Sequence, residues 1–154
     1  MQHDILGEIK RIEGDVFDGT AAIQFGPRSV RIGISCDGET FETALTLSEE
    51  AVRRLPELDR RAKRVASAEL REVYNNGWNE YDQAQDDGSF KTISNPKLSE
   101  AEFEAKLSLD AMNVTGSGMI EFFYDDEKLF WGHSVVVHSM RGVDFSEARA
   151  ELFG

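Results

Sequence analysis

Cysteine is nearly absent from this chain of 154 residues. The single Cys36 cannot close an internal disulfide, which fits a reducing compartment. Only three histidines are present, and apart from the C-terminal pair only the N-terminal His3 could contribute to a zinc site. No apolar run approaches the roughly 18 residues that a membrane helix needs. The opening Met1-Gln-His-Asp-Ile5 has no charged-then-apolar leader pattern, so the expected location is the cytoplasm. Repeats and low-complexity tracts are also missing. Positive charge is in short supply: 17 Lys and Arg stand against 29 Asp and Glu, for a net charge of −12. That balance repels nucleic-acid phosphates and anionic membranes and favours a basic protein as partner. The hydrophobic share of 40% and charged share of 30% belong to an ordinary globular protein, and the length suits one domain spanning 1–154.

The first third reads as strands. Ile5–Ile9 and Val16-Phe17 are short apolar segments. Thr20–Phe25 and Ser29–Cys36 flank the turn signal Gly26-Pro27. In the second of these, Val30, Ile32, Ile34 and Cys36 alternate with Arg31, Gly33 and Ser35, the period of a half-buried strand. Cys36 is therefore expected on the apolar side as a small hydrophobe rather than a nucleophile. Thr40–Leu45 is expected to form another strand.

From Leu47 the period changes. Val52, Leu55, Leu58, Ala62, Val65, Ala66, Leu70 and Val73 recur every three or four residues, an amphipathic helix capped by Thr46 or Ser48. Pro56 divides it into a short helix up to about Leu55 and a longer one beginning near Pro56. Asn75-Asn-Gly77 ends it. The basic run Arg60-Arg-Ala-Lys-Arg64 lies on this helix and reads as a solvated face paired with Glu57 and Asp59, not as an anion-binding patch. Residues 77–96 look least ordered, with turn signals at Asp86-Asp-Gly-Ser89 and Asn95-Pro96. Ser99-Glu-Ala-Glu102 is a capping box that starts a short helix, followed by a strand over about 106–114. The tail at 143–153 ends in a last strand.

The most distinctive stretch is Phe122-Phe-Tyr-Asp-Asp-Glu-Lys-Leu-Phe-Trp-Gly-His-Ser134. It reads as a hairpin centred on Asp126-Glu127. That register sets Tyr124 opposite Leu129, Phe122 opposite Trp131 and Ile120 opposite His133. One face then carries Ile120, Phe122, Tyr124, Leu129, Trp131, His133, Val135 and Val137 and is expected to be core. Phe130 and His138 fall on the other, mixed face. Five residues separate His133 from His138, so a regular strand points them apart and no shared metal is expected. Asp125-Asp-Glu127 reads as an acidic turn, its spacing unlike a calcium loop.

The same block, with Asn75-Asn-Gly-Trp78 before it and Ala148–Gly154 after it, resembles a bacterial domain-of-unknown-function family, number twenty-two sixty-two. The family pattern has glycine after the paired aspartates; this chain has Glu127. The resemblance implies a bacterial source and an α+β fold and carries no activity with it. The expected architecture is an antiparallel sheet of N-terminal strands and a C-terminal meander, packed by one long central helix and a short helix. No catalytic, metal-binding or cofactor motif stands out. The favoured reading is a non-catalytic protein-binding or regulatory module resembling an immunity protein, with a basic partner. The alternatives are a small-molecule-binding or enzymatic pocket around His133, lined by Trp131, Tyr124 and Trp78, and a structural oligomerisation module.

Overall fold

A computed structural model describes residues 1–13 and 16–154. Among the described residues, eleven strands and three helices build an α+β fold. The order is β1 (Gln2–His3), β2 (Gly7–Glu8), β3 (Lys10–Arg11), β4 (Gly19–Phe25), β5 (Arg28–Ser35), α1 (Phe41–Arg53), α2 (Leu55–Val73), a wide turn Tyr74–Trp78, β6 (Glu80–Ala84), β7 (Phe90–Ser94), α3 (Glu100–Ala105), β8 (Ser108–Thr115), β9 (Ile120–Asp125), β10 (Ser134–Ser139) and β11 (Arg149–Phe153). The main sheet has seven strands in the order β11-β10-β9-β8-β5-β4-β3. Its N-terminal half and its C-terminal meander are antiparallel, as expected, but they join through a parallel pair, β5 with β8. A parallel neighbour needs a long crossover. Here that crossover is everything from α1 to α3.

The helices cover one face of the sheet. Ile32, Ile34, Met112, Val114, Ile120, Phe122, Tyr124, Val135 and Val137 are buried beneath them. α2 contributes Leu55, Leu58, Ala62, Ala66 and Leu70 at helical spacing, and Pro56 stands in its first turn, where its missing N–H costs nothing. Residues 40–45 are not a strand. Thr40 caps α1, its hydroxyl accepting from the Thr43 amide at 3.1 Å. The buried Ala44, Ser48 and Ala51 form a narrow helical stripe of small residues, with the Ser48 hydroxyl satisfied by the Ala44 carbonyl at 2.8 Å. Along the basic run, Arg61 reaches Glu57 at 3.8 Å and Lys63 pairs with Asp59 at 3.1 Å.

The open face of the sheet is held together by polar links and close backbone packing. His138 places Nδ1 3.0 Å from Glu121 and Nε2 2.8 Å from Glu151, tying β9, β10 and β11 together. At Gly33 a Cβ would lie 2.7 Å from the Phe17 ring, so only glycine lets that ring settle on β5. Cys36 falls just beyond β5 and is half-buried, not among the core residues; its amide donates to Asp18 at 2.7 Å. Residues 80–94 are not loop but a two-stranded ribbon, β6 paired with β7, with almost every residue exposed.

The 120–139 hairpin differs from the tight two-residue form. Tyr124 pairs with Val135, Phe122 with Val137 and Ile120 with Ser139. Residues 126–133 leave the sheet altogether. The shift of the partner strand from Trp131 to Val137 is an even number of residues. Ile120, Phe122, Tyr124, Val135 and Val137 therefore keep the core face that alternation assigned them. Leu129, Trp131 and His133 lose their strand positions. Trp131 is 58% exposed, His133 is half-buried, and Phe130, expected on the mixed face, is fully buried.

Candidate functional site

The connection 126–133 is a chain of turns organised by Asp126. This carboxylate is only 4% exposed and accepts from the amides of Lys128 at 3.0 Å and Phe130 at 3.2 Å. Further amide-to-carbonyl bonds run from Leu129 to Asp126, Trp131 to Lys128 and His133 to Phe130. Glu127, Lys128 and Trp131 all take positive φ, at 53°, 64° and 54°. Each is a conformation that disfavours a side chain, and for a bulky ring the penalty is larger still. The result is a loop that drives Phe130 inward and turns Trp131 outward.

Phe130 is the hub beneath the site. Its ring meets Tyr74 at 6.0 Å, Trp78 at 5.4 Å and Phe103 at 6.3 Å, all in edge-on geometry. Trp78 rests on it and is flanked by Trp131, 4.8 Å away, and by the edge of His133, 5.6 Å away. The opposite wall is fixed by two buried asparagines at the end of α2. Asn75 exchanges two hydrogen bonds with the Leu98 backbone, at 3.0 and 2.8 Å. Asn79 donates its side-chain amide to the Asn95 carbonyl at 3.0 Å, and its backbone carbonyl accepts from the Asn95 amide at 2.7 Å. These bonds replace the missing sheet partners of residues 95–98 and hold Pro96 and Leu98 against the helix end.

Between the walls lies an open cleft of about 750 Å³, lined by Tyr74, Trp78, Tyr81, Asn95, Pro96, Leu98, Glu102, Ala105, Lys106, Glu127, Lys128, Leu129 and Trp131. That volume is within the usual range for a ligand site. A second depression of about 480 Å³ opens beside Glu72, Val73, Asn76 and Gly77. Trp78 and Trp131 line both, so the tryptophan pair forms a ridge with a hollow on either side. Lys106 and Glu127 pair across the rim at 3.1 Å. Burial raises the Tyr74 phenol, with the nearby Lys106 charge opposing it, so it stays a neutral donor. The Ser99 backbone amide holds the Glu102 carboxyl below its ordinary value.

Of the four residues singled out from sequence, two meet in the cleft. Trp78 and Trp131 form its ridge. His133 supports Trp78 from behind and lines a separate shallow hollow with Arg28, Asp110 and Ser134. Tyr124 borders that same hollow but not the cleft; it is almost wholly buried, its hydroxyl donating to Asp59 at 2.8 Å. Tyr81, Lys106 and Leu129 were not among the sequence candidates. Tyr81 lies on a ribbon without an apolar face, and Leu129 and Lys106 follow from the loop geometry rather than from a pattern. Among the described residues, no three His, Cys, Asp or Glu side chains are placed to hold a metal ion.

The molecule is thus an α+β protein with a mixed sheet, helices on one face and an aromatic cleft where α2, the ribbon, α3 and the 126–133 loop meet. The model of the family described as "Uncharacterized protein conserved in bacteria (DUF2262)" matches residues 3–149, and the chain belongs to that family. No curated protein and no solved structure matches it. No helix among the described residues is long and apolar enough to cross a membrane.

Proposed function

We propose that this protein is a non-catalytic recognition module of the bacterial cytoplasm that regulates a basic protein partner by binding it through the Trp78–Trp131 cleft. The observation that carries the reading is Trp131 itself. A large ring, 58% exposed, is held outward by a backbone conformation that costs free energy. Strain of that kind persists where the surrounding structure enforces it, and tryptophan is the residue type most enriched among interface hot spots. The net charge of −12 supports a basic partner. A pocket centred on His133 has less support, because that ring is spent on the edge of Trp78 and lies outside the cleft wall. The exposed ribbon, with Phe90 at its far end, favours oligomerisation only through edges that carry Glu80 and Asp82 on one strand.

The test is affinity capture at low salt with the parent and with Trp131→Gly, a change that suits the positive φ. The expected result is one basic protein retained by the parent, released by raised salt and lost with the variant, while thermal unfolding is little changed. Equal capture by both proteins would count against the cleft.

A further inference from the structure

We infer that the cleft takes a proline-rich, basic segment of the partner in the extended polyproline conformation; this rests on the reading of the cleft as a protein-recognition site. The argument begins with hydrogen-bonding groups. The indole N–H groups of Trp78 and Trp131 and the hydroxyls of Tyr74 and Tyr81 make no hydrogen bond within the described chain, and none is sealed from solvent. The nearby carboxylates are only partly engaged: Glu102 takes the Ser99 amide on one oxygen and Glu127 takes Lys106 on one, which leaves the other oxygen of each for a cation. Walls rich in free neutral donors suit a ligand with a surplus of free carbonyl acceptors. A polyproline helix has it: every carbonyl is free, since the helix has no internal hydrogen bonds, and proline carries no N–H.

Shape and charge agree. The hollows on either side of the tryptophan ridge, about 750 and 480 Å³, make a path across the surface rather than an enclosed chamber. Proline rings pack against flat aromatic faces, and a segment already extended loses little entropy on docking. Residues 80–106, which form the ribbon and α3 beside the cleft, hold seven acidic residues against three lysines, while Glu127 and Lys128 on the facing loop cancel each other. Arginine or lysine flanking the prolines therefore finds complementary charge.

The chain has two tryptophans, both in the cleft, so the two indole N–H signals in an ¹H–¹⁵N spectrum report on the site directly. Three synthetic peptides serve as probes: proline-rich with arginines, the same with each proline replaced by alanine, and the same with each arginine replaced by glutamate. The first is expected to shift both indole signals saturably. Replacing the prolines or the arginines, or testing Trp131→Gly, is expected to weaken binding by about tenfold or more. Tyr81→Phe, which removes one donor and keeps the ring, is expected to weaken it several-fold. Equal binding of the alanine peptide, or a shift caused only by peptides lacking proline, would overturn the inference while leaving the cleft as a recognition site. Failure of every peptide to move either indole signal would also overturn it, and loss of captured partner with Trp131→Gly would then still stand for the cleft.

Discussion

Tyr124 and Asp59 join the sheet to α2 at a buried point, the phenol donating to Oδ1 at 2.8 Å while Lys63 holds Oδ2 at 3.1 Å. Burial, reinforced by the Asp59 charge, pushes the Tyr124 phenol well above its ordinary value. The neutral phenol is therefore the form the fold requires. Tyr124→Phe strips a buried carboxylate of one donor and should cost about 2 kcal/mol in urea unfolding.

The same pair predicts alkaline behaviour. A group whose folded value is raised contributes stability below its unfolded value, near 10, and that stability is lost as pH rises through the folded value. A titration of tyrosinate absorbance into the alkaline range reads this out among the three tyrosines. Tyr124 should ionise only as the protein unfolds. Tyr124→Phe should remove that last step; a variant with the parent's full amplitude would contradict the assignment.

Glu127 occupies a left-handed position, φ 53°, where a glycine pays no steric cost. Its compensating contact with Lys106 joins two exposed side chains and is worth little. Glu127→Gly should therefore raise stability by roughly 0.5–1 kcal/mol, or about 1–4 °C in a calorimetric scan. A lower melting temperature would mean that the Lys106 pair outweighs the backbone strain.

Much of the fold was legible because its signals are local. Alternation marked β4 and β5 to within a residue or so, Pro56 marked the start of α2, and Ser99 to Glu102 formed the capping box expected of it. The family block survived as well, since parity kept Phe122 and Tyr124 on the core face even when the register moved. What was not legible depends on backbone conformation or on distant partners. Positive φ at Glu127, Lys128 and Trp131 cannot be read from residues that normally avoid it, and it is those angles that turn a tight hairpin into an eight-residue connection, 126–133. The ribbon has no buried face and so no periodicity. α1 hid behind Phe41 and Thr43, residue types that suit strands, while its buried stripe is made of small residues. The cleft brings together Trp78 and Trp131, fifty-odd positions apart in the chain, through Phe130, which alternation placed on the wrong side.

Ser67 supplies a different kind of test. Its hydroxyl on α2 is the one buried side-chain oxygen or nitrogen without a hydrogen-bond partner among the described residues. Burying such a group is unfavourable, and serine is also a weaker helix former than alanine. Ser67→Ala should stabilise the protein by about 1 kcal/mol, seen as a higher urea midpoint with an unchanged slope. A destabilised variant would reveal a partner for that hydroxyl.

Asp126 gives the pH dependence of the site loop. Burial raises its carboxyl above the ordinary value, against the amides of Phe130 and Lys128, which favour the charged form. The folded chain thus holds its proton more tightly than the unfolded chain. The sign follows: this group's contribution is fully present below the unfolded value, near 3.9, and is lost as pH rises through the folded value. Asp126→Asn cannot ionise; it keeps an oxygen for one of the two loop amides and loses the bond to the other, a cost that does not vary with pH. The stability of the variant relative to the parent should therefore improve as pH rises through that window, then level off. Urea midpoints of both proteins across the acid range measure the difference directly. A flat difference would show that the carboxyl is no harder to ionise in the fold than in the free chain. A difference that worsened with pH would show that the two amides, not burial, dominate at Asp126.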